Sequence, residues 1–434
     1  MQSVEGMMVE KESGSILSWV VCFSAALFFF YEFIQGNMFS SISQDIMRDF
    51  AIKADKLGYL SSIYYVSNVL FLFPAGIILD RFSTKKIIVS AMVLCIAGTF
   101  LFAVATNYYV ALFCRFVTGI GSAFCFLSCV RLASRWFQPH RMALVTGLIV
   151  TMAMTGGMVA QSPMTWLLQQ VGWRHAVLYD ALLGIAFLLV IMRYVKDYPA
   201  GQEAIELQHK KNLANMGFFT SLRKAYFNTQ NLLAAVYTSV MNMPVAVIGA
   251  MMGSLYLQQA EGMNREAAAL AITVLFVGTI LGGPLIGSWS DKLGKRKLPM
   301  FVGTIFSFIT MLAILYLPIQ SYSLWLLLFF LLGFFTASQV ISYPLVAENS
   351  PLSLTATAVS VVSILTMSGY VFYQNIFTYL LQSHWDKVIQ NGIPLYTKSN
   401  YQLALGMIPI GFIIAFVMVL LLRETHCKRR DGNA

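Results

Sequence analysis

Apolar residues run along this chain in blocks of roughly 20 to 30, separated by short polar knots. About 20 apolar residues make a helix long enough to cross a bilayer. Twelve such blocks can be read, at 16–40, 57–79, 86–106, 108–133, 142–168, 175–194, 231–258, 266–289, 298–318, 322–347, 352–382 and 401–423. The longest polar stretch, 195–230, divides them six and six. The pattern predicts an all-α membrane protein with a half at 1–194, a linker at 195–230 and a second half at 231–434. The first block has no basic segment before it and no small-residue cleavage site after it, so it reads as a retained span and not as a cleaved leader.

Composition sharpens this picture. Of the 434 residues 58% are hydrophobic and 11% charged, against about 25% charged in soluble domains. The net charge of +10 would point to nucleic acid if it were clustered on one surface, but it follows the loops. With the N-terminus in the cytoplasm, 21 Lys and Arg fall at one side of the spans and 7 at the other. The positive-inside rule then places both termini in the cytoplasm, as in a bacterial inner-membrane protein, and no nucleic-acid partner is needed. The six cysteines form no CxxC, and five lie in apolar blocks where a thiol packs as a small hydrophobe. Neither a metal site, a cofactor nor a disulfide framework is expected. No HExxH or GxSxG motif points to an enzyme.

The chain repeats itself. "GIILDRFSTKK" from Gly76 and "GSWSDKLGKRK" from Gly287 each close a long span, with Gly, then Asp four residues on, then a basic cluster. Asp80 and Asp291 are 211 residues apart, close to half the chain. Parallel six-span repeats with a site between them near mid-membrane are a known transporter plan. The first motif, with Gly76, Asp80, Arg81, Lys85 and Lys86, resembles the loop 2–3 signature of the major facilitator superfamily, apart from Ser83 where that family usually has Gly. Gly287, Asp291, Lys292, Gly294, Lys295 and Arg296 resemble its loop 8–9 copy more fully, and "RFVTGIG" (Arg115 to Gly121) resembles the family's span 4 motif. The span 5 antiporter pattern is missing, since "TGGMVAQSP" has Pro163 well past Gly157. "LASRWFQPHR", "VMNMPVAVIGA" and "SQVISYPLVAENSP" are similar to the phagosomal transporter family of intracellular bacteria and to lysosomal dipeptide carriers. The resemblance implies a carrier, most simply a monomer, for amino acids, short peptides or nucleosides. It also implies that Gly76, Asp80, Arg81, Lys85, Gly287, Asp291, Lys292 and Arg296 latch the two halves in the outward-facing state. Glu348, at the same end of span 10, reads as a cap or latch for basic groups.

Intramembrane charge marks the candidate chemistry. Glu32 sits in a block, 16–40, that holds no Asp, Lys or Arg, at an insertion cost on the order of 2.5–3.5 kcal/mol for a mid-membrane charge. A rise of about 1.5 Å per residue puts it ~24 Å from Ile16, and Arg115 ~10 Å from the opposite end of span 4. The depths match, and the resemblance makes spans 1 and 4 cavity neighbours. A Glu32–Arg115 ion pair is therefore expected, as a proton-coupling device or as a lock between two helices. The repeat offers no second copy, because Met243 and Phe329 stand at the corresponding positions. Attraction to Arg at ~4 Å and desolvation are both worth several kcal/mol, so small shifts in separation or hydration would switch protonation.

The candidates for substrate contact are Gln35, one turn after Glu32, Asn242 before Pro244, the i, i+4 pairs Gln339 with Tyr343 and Tyr370 with Gln374, and Arg131. Each is also what an interhelical hydrogen bond would look like, and Arg131 could snorkel to the cytoplasmic surface. Asp180 reads as a headgroup-level acid close to Arg174. Together these features predict proton-coupled uptake of a small polar metabolite across the lipid bilayer by alternating access. One rival is an efflux antiporter, with a more aromatic and less polar cavity. The other is a non-transporting sensor, which would carry an output domain; the 36-residue linker is short of the ~50 residues such a domain needs.

Overall fold

Each apolar block is helical, and the helices bend where Gly, Pro or a polar side chain interrupts the block. The structure, a computed structural model, describes residues 16–137, 142–199, 228–349, 355–390 and 392–428; the side chains of 73, 76, 77, 80, 81, 142–144 and 355–357 are not described. Span 1 is α1 (Ile16–Asn37) carried on by α2 (Phe39–Asp49), so it runs beyond its predicted end into a polar turn of helix. Span 2 is α3 (Ala54–Arg81), span 3 is α4 (Thr84–Val104), and span 4 is α5 (Tyr108–Ser122) with α6 (Cys125–Trp136). Spans 5 and 6 are formed by α7 (Met142–Val159) and α8 (Ser162–Tyr194), and α8 is kinked at Gly172. Its φ of 78° is one that glycine adopts without steric cost.

In the second half, span 7 is α9 (Thr229–Met241), a π-helical segment (Val245–Met252) and α10 (Gly253–Glu261). Spans 8 and 9 are α11 (Arg265–Leu293) and α12 (Lys297–Tyr316). Span 10 is α13 (Tyr322–Thr336), a tight 3-10 turn (Ala337–Ile341) and α14 (Ser342–Glu348). Span 11 is α15 (Thr355–Ser383), followed by a hairpin of β1 (Ile389–Gln390) and β2 (Ile393–Pro394), and span 12 is α16 (Lys398–Leu405) with α17 (Met407–Leu421). Among the described residues, nine helical stretches are long and apolar enough to cross a membrane, one of them the 50-residue Val145–Tyr194, which the Gly172 kink turns into two passes. Spans 2 and 11, of 28 and 29 residues, also have the length to cross. The two pack along each other at the seam between the halves, where Asn375 Nδ2 donates to Ser62 Oγ at 2.9 Å. The described helices are thus consistent with the twelve passes that the pattern predicts.

Backbone contacts bear out the internal repeat. A Cβ on Gly119 of span 4 would meet the Tyr64 carbonyl of span 2 at 2.2 Å, and one on Gly333 of span 10 would meet the Leu275 carbonyl of span 8 at 1.9 Å. The 211-residue offset between Asp80 and Asp291 also carries Tyr64 onto Leu275. Both crossings are too tight for any side chain, so each half needs glycine at the same point.

The halves meet along spans 2 and 11 and along spans 5 and 8. They are sealed at the end of the bundle remote from the linker. Between described residues, every hydrogen bond that joins the halves lies in that far part: Gln44 to Gln258, Ser254 to Ser40, Gln161 to Gly249, Ser162 with Thr273, Arg265 to Asp45 and Ser41, Asn375 to Ser62, and Ala54 to Tyr396. The Tyr65 and Tyr370 rings, 4.8 Å apart, close the seam nearer the middle. The described contacts between the halves thus close the end remote from the linker.

Candidate functional site

Inside the bundle of the first half, Glu32 on span 1, Arg115 on span 4 and Asp180 on span 6 are buried together, exposed by 5%, 1% and 6%. Glu32 and Arg115 share this cluster but make no ion pair, which corrects the expected contact. Arg115 lies over the Tyr64 ring at 4.6 Å and the Phe39 ring at 4.9 Å, and its Nη2 donates to the Gln35 carbonyl at 3.0 Å. Cation–π contacts of this kind are worth ~0.5–2 kcal/mol each, so the rings hold the guanidinium where a carboxylate was expected. Glu32 Oε2 faces the Cys95 thiol at 3.8 Å. Glu32 Oε1 and Arg115 Nε and Nη1 are buried with no hydrogen-bond partner.

Asp180 is the second correction. It does not pair with Arg174, which turns to the Ala103 and Ala105 carbonyls and to Asp49 at 3.5 Å. Span 6 proper starts after the Gly172 kink, so Asp180 is about 12 Å deep. It accepts a short hydrogen bond from Gln35 Nε2. Gln35 Oε1 lies 3.0 Å from Thr99 Oγ1, which accepts from the Tyr31 hydroxyl at 3.2 Å. A signal for this was present in the sequence. Asp180 falls on the buried stripe of Ala176, Val177, Ala181 and Gly184, opposite the exposed Tyr179, Leu182 and Leu183.

The remaining polar candidates separate. Gln35 is committed to the charged cluster and fully buried. Gln374 is equally buried and donates to the Ala246 carbonyl of the π-helical segment at 3.0 Å. Asn242 and Gln339 come together across spans 7 and 10, with Gln339 Nε2 donating to Asn242 Oδ1 at 3.1 Å. Tyr343 is half-buried one turn from Gln339, and Tyr370 packs at a tilt against Tyr65 of the other half. Arg131, half-buried, is on α6, beyond a break in span 4 at 123–124 that follows Gly121. That break frees it from the ~160° offset to Arg115 that a straight helix would impose.

Of the latch residues, the side chains of Gly76, Asp80 and Arg81 lie outside the described residues. Lys85 stays within its own half, with Nζ on the Met192 carbonyl at 2.7 Å and its backbone N–H on Asp197 at 2.8 Å. Asp291, mostly exposed, pairs with Arg296 at 2.5 Å, and Arg296 also pairs with Glu348 at 2.6 Å. Burial works against the charge on Arg296, yet the Glu348 and Asp291 bonds hold its pKa above the usual arginine range. Lys292 is exposed, and Gly287 has open space around it. Asp291 and Arg296 are thus engaged within one half. The tail that follows span 12 braces them. Glu424 accepts from the backbone N–H groups of Arg296 and Lys297 at 2.8 and 2.9 Å, and Thr425 Oγ1 donates to Glu348 at 2.5 Å. Burial opposes ionisation of Glu424, but these backbone donors outweigh it and lower its pKa.

Comparison with known proteins agrees with this architecture. The sequence pattern of the Major Facilitator Superfamily matches residues 21–264 and 232–434. The sialic acid transporter NanX of Escherichia coli K12 is 23% identical over 302 residues, covering 70% of this chain and 72% of NanX. A D-xylose–proton symporter has the same fold with a TM-score of 0.74 at 13% identity, over 95% of this chain and 99% of that one. A bacterial homologue of the human lysosomal transporter Spinster, solved inward-facing and unoccupied, superposes with a TM-score of 0.70 at 16% identity, over 94% and 97% of the two chains. The fold, the two motif copies and the family pattern across nearly the whole sequence make this chain a member of the major facilitator superfamily, a multi-pass secondary transporter of the membrane.

Proposed function

We propose that the protein is a proton-coupled symporter that takes up a small polar metabolite bearing a carboxylate, such as an amino acid or short peptide. Both termini face the cytoplasm in this reading, and the sealed far end supports assigning the structure to the inward-facing state. The observation that carries the coupling is the charge count of the buried cluster. Glu32 and Asp180 give two acids and Arg115 one base, all nearly inaccessible to water. An uncompensated charge in such a place costs several kcal/mol. The balanced form of the cluster holds one proton, and a cycle that hydrates the cluster at one stage and dries it at another can carry that proton across. The unpartnered atoms of Glu32 and Arg115 leave room for such a change.

The narrower resemblance to phagosomal and dipeptide carriers supports an amino-acid or peptide substrate, and the sialic acid named for NanX shares the carboxylate. Asn242, Gln339, Tyr343 and Tyr370 supply neutral donors and acceptors, and Arg131 offers the two-pronged geometry that suits a carboxylate. The test is uptake of labelled amino acids, dipeptides, sugar acids and nucleosides into proteoliposomes with and without an inward proton gradient. Gradient-driven accumulation of a carboxylate is expected. Flux of substrate without response to the gradient would overturn coupling, and absence of any flux would favour the sensor.

A further inference from the structure

Three of the spans that seal the far end are interrupted there, and the interruptions meet at one side chain. Span 5 breaks at Ala160 and Gln161, where Gln161 has φ −98° and ψ −102°. Span 1 changes from α1 to α2 at Met38, and span 7 is π-helical from Val245 to Met252. Gln161 is 0% exposed. Its Nε2 donates to the Asn37 carbonyl at the joint of span 1, at 3.2 Å, and to the Gly249 carbonyl inside the π-helical segment of the other half, at 3.0 Å. A primary amide has two N–H donors, and here both go to the backbone of other spans, one in each half. Its Oε1 is buried with no partner, so the donors alone set the side chain's place. Ser41 ties the same break to span 1 by donating to the Ala160 carbonyl at 2.7 Å.

The π-helical segment gives this contact its meaning. Such turns are rare and concentrate at functional sites, and this one is served by two glutamines. Gln374 donates to the Ala246 carbonyl from within the same half and therefore moves with the segment. Gln161 reaches it from the opposite half. Any motion that parts the halves at the far end must break the bond from Gln161 to Gly249, while the bond from Gln374 can persist.

We propose that Gln161 is the pin of the far-end gate, a positioning residue whose amide fastens the interruptions of spans 1, 5 and 7 together in the closed state and releases Gly249 when that end opens. The proposal rests on the alternating-access reading above. Its test uses the full chain in lipid nanodiscs, with no substrate and no gradient. Spin labels are placed at Thr106→Cys and Gln320→Cys, exposed positions at the far end of each half, in a Cys427→Ser background; the other cysteines are buried. Pulsed electron resonance then gives the distribution of distances across the gate.

Gln161→Met is expected to raise the longer-distance population about tenfold, or ~1.4 kcal/mol, the scale of one lost buried hydrogen bond. Gln161→Asn, one methylene too short to span both carbonyls, should raise it by a smaller factor. Gln374→Met should leave the distribution as in the parent. A parent-like distribution in Gln161→Met overturns the proposal, as does an equal shift in Gln374→Met, which would assign the effect to the π-helical segment alone. Should Gln161→Met fail to fold, Gln161→Asn decides in the same way. The readout involves no proton, so a failure of the coupling assignment leaves the gate result standing, and the reverse also holds.

Discussion

Neutralising Glu32 should separate coupling from transport. The side chain is 5% exposed and shares its cluster with Asp180 and Arg115. With both carboxylates ionised the cluster carries one unbalanced negative charge. Glu32→Gln removes that excess, because Asp180 then balances Arg115 and no proton is needed. For a carrier moving one proton per substrate, a gradient of one pH unit supplies about 1.36 kcal/mol, which limits accumulation of a neutral substrate to about tenfold. The parent should approach that ratio in proteoliposomes, and Glu32→Gln should stay near onefold while still exchanging internal for external substrate. Asp180→Asn should behave alike, since either acid alone balances the charge of Arg115. Arg115→Ala leaves two buried carboxylates with no base and should cost ~3–5 kcal/mol of stability, read as a lower melting temperature. Tenfold accumulation by Glu32→Gln would refute the reasoning. Loss of coupling in Asp180→Asn alone would move the proton site to Asp180.

Four further outcomes are expected. Arg265→Gln removes the 2.5 Å pair with Asp45 across the sealed end; a charged hydrogen bond is worth ~1.5–3 kcal/mol, so labelling of far-end cysteines should rise at least about tenfold, and unchanged labelling would exclude this pair from the gate. Asp291→Asn, whose partner Arg296 is retained by Glu348, should cost under ~1 kcal/mol in the present state while weakening the opposite one, so accessibility should shift toward the linker end; no shift would count against a latch. Gln339→Ala frees Asn242 Oδ1 and should weaken substrate binding several-fold with folding intact; a folded variant of unaltered affinity would make the Gln339–Asn242 bond a packing contact only. Because Glu424 has a lowered pKa, its brace on α12 should be fully present above the ordinary glutamate value of ~4.3 and be lost as pH falls through its own lower value. Hydrogen exchange at Arg296 and Lys297 should therefore accelerate only below the ordinary glutamate range, and acceleration between pH 5 and 7 would contradict the assignment.

How much of this was legible in the sequence depends on what each residue's position requires. Span order, the repeat and the close helix crossings could be read directly, because a bilayer demands apolar length and because Gly119 and Gly333 each face a carbonyl with no room for a side chain. The ends of the spans were less legible. Hydropathy stops span 1 at 40, yet the helix continues to Asp49, since Ser41 donates to the Ala160 carbonyl of span 5 and Asp45 accepts from Arg265, neither partner adjacent in sequence. The pairing of buried charges was not legible either. Depth along a helix brings Glu32 and Arg115 to one level, but rotation about the axis and the rings of Phe39 and Tyr64 decide where the guanidinium goes. Asp180 was misplaced because one glycine, Gly172, resets where span 6 begins.

The asymmetry between the halves is the more informative residue of that comparison. The two halves share glycine crossings and a tail-capped latch: Asp197 bonds the Lys85 N–H after span 6 as Glu424 bonds the Lys297 N–H after span 12. They differ in what they bury. The first half buries Glu32, Arg115 and Asp180 within its bundle, whereas the corresponding region of the second holds neutral groups, Asn242, Gln339 and Gln374, with Met243 and Phe329 where the repeat would put Glu32 and Arg115. A scaffold requirement would apply to both copies. A charge set confined to one half, apart from the Gln161 amide and the Arg265–Asp45 pair that join the halves, is what a device requires if it is to change protonation without dismantling the gate. Moving the charges should therefore fail: Met243→Glu together with Phe329→Arg rebuilds the pair in the second half of a Glu32→Gln, Arg115→Met protein. Coupling is expected to stay lost, because no second acid like Asp180 stands beside the new pair, and recovery of gradient-driven accumulation would show that a pair alone suffices.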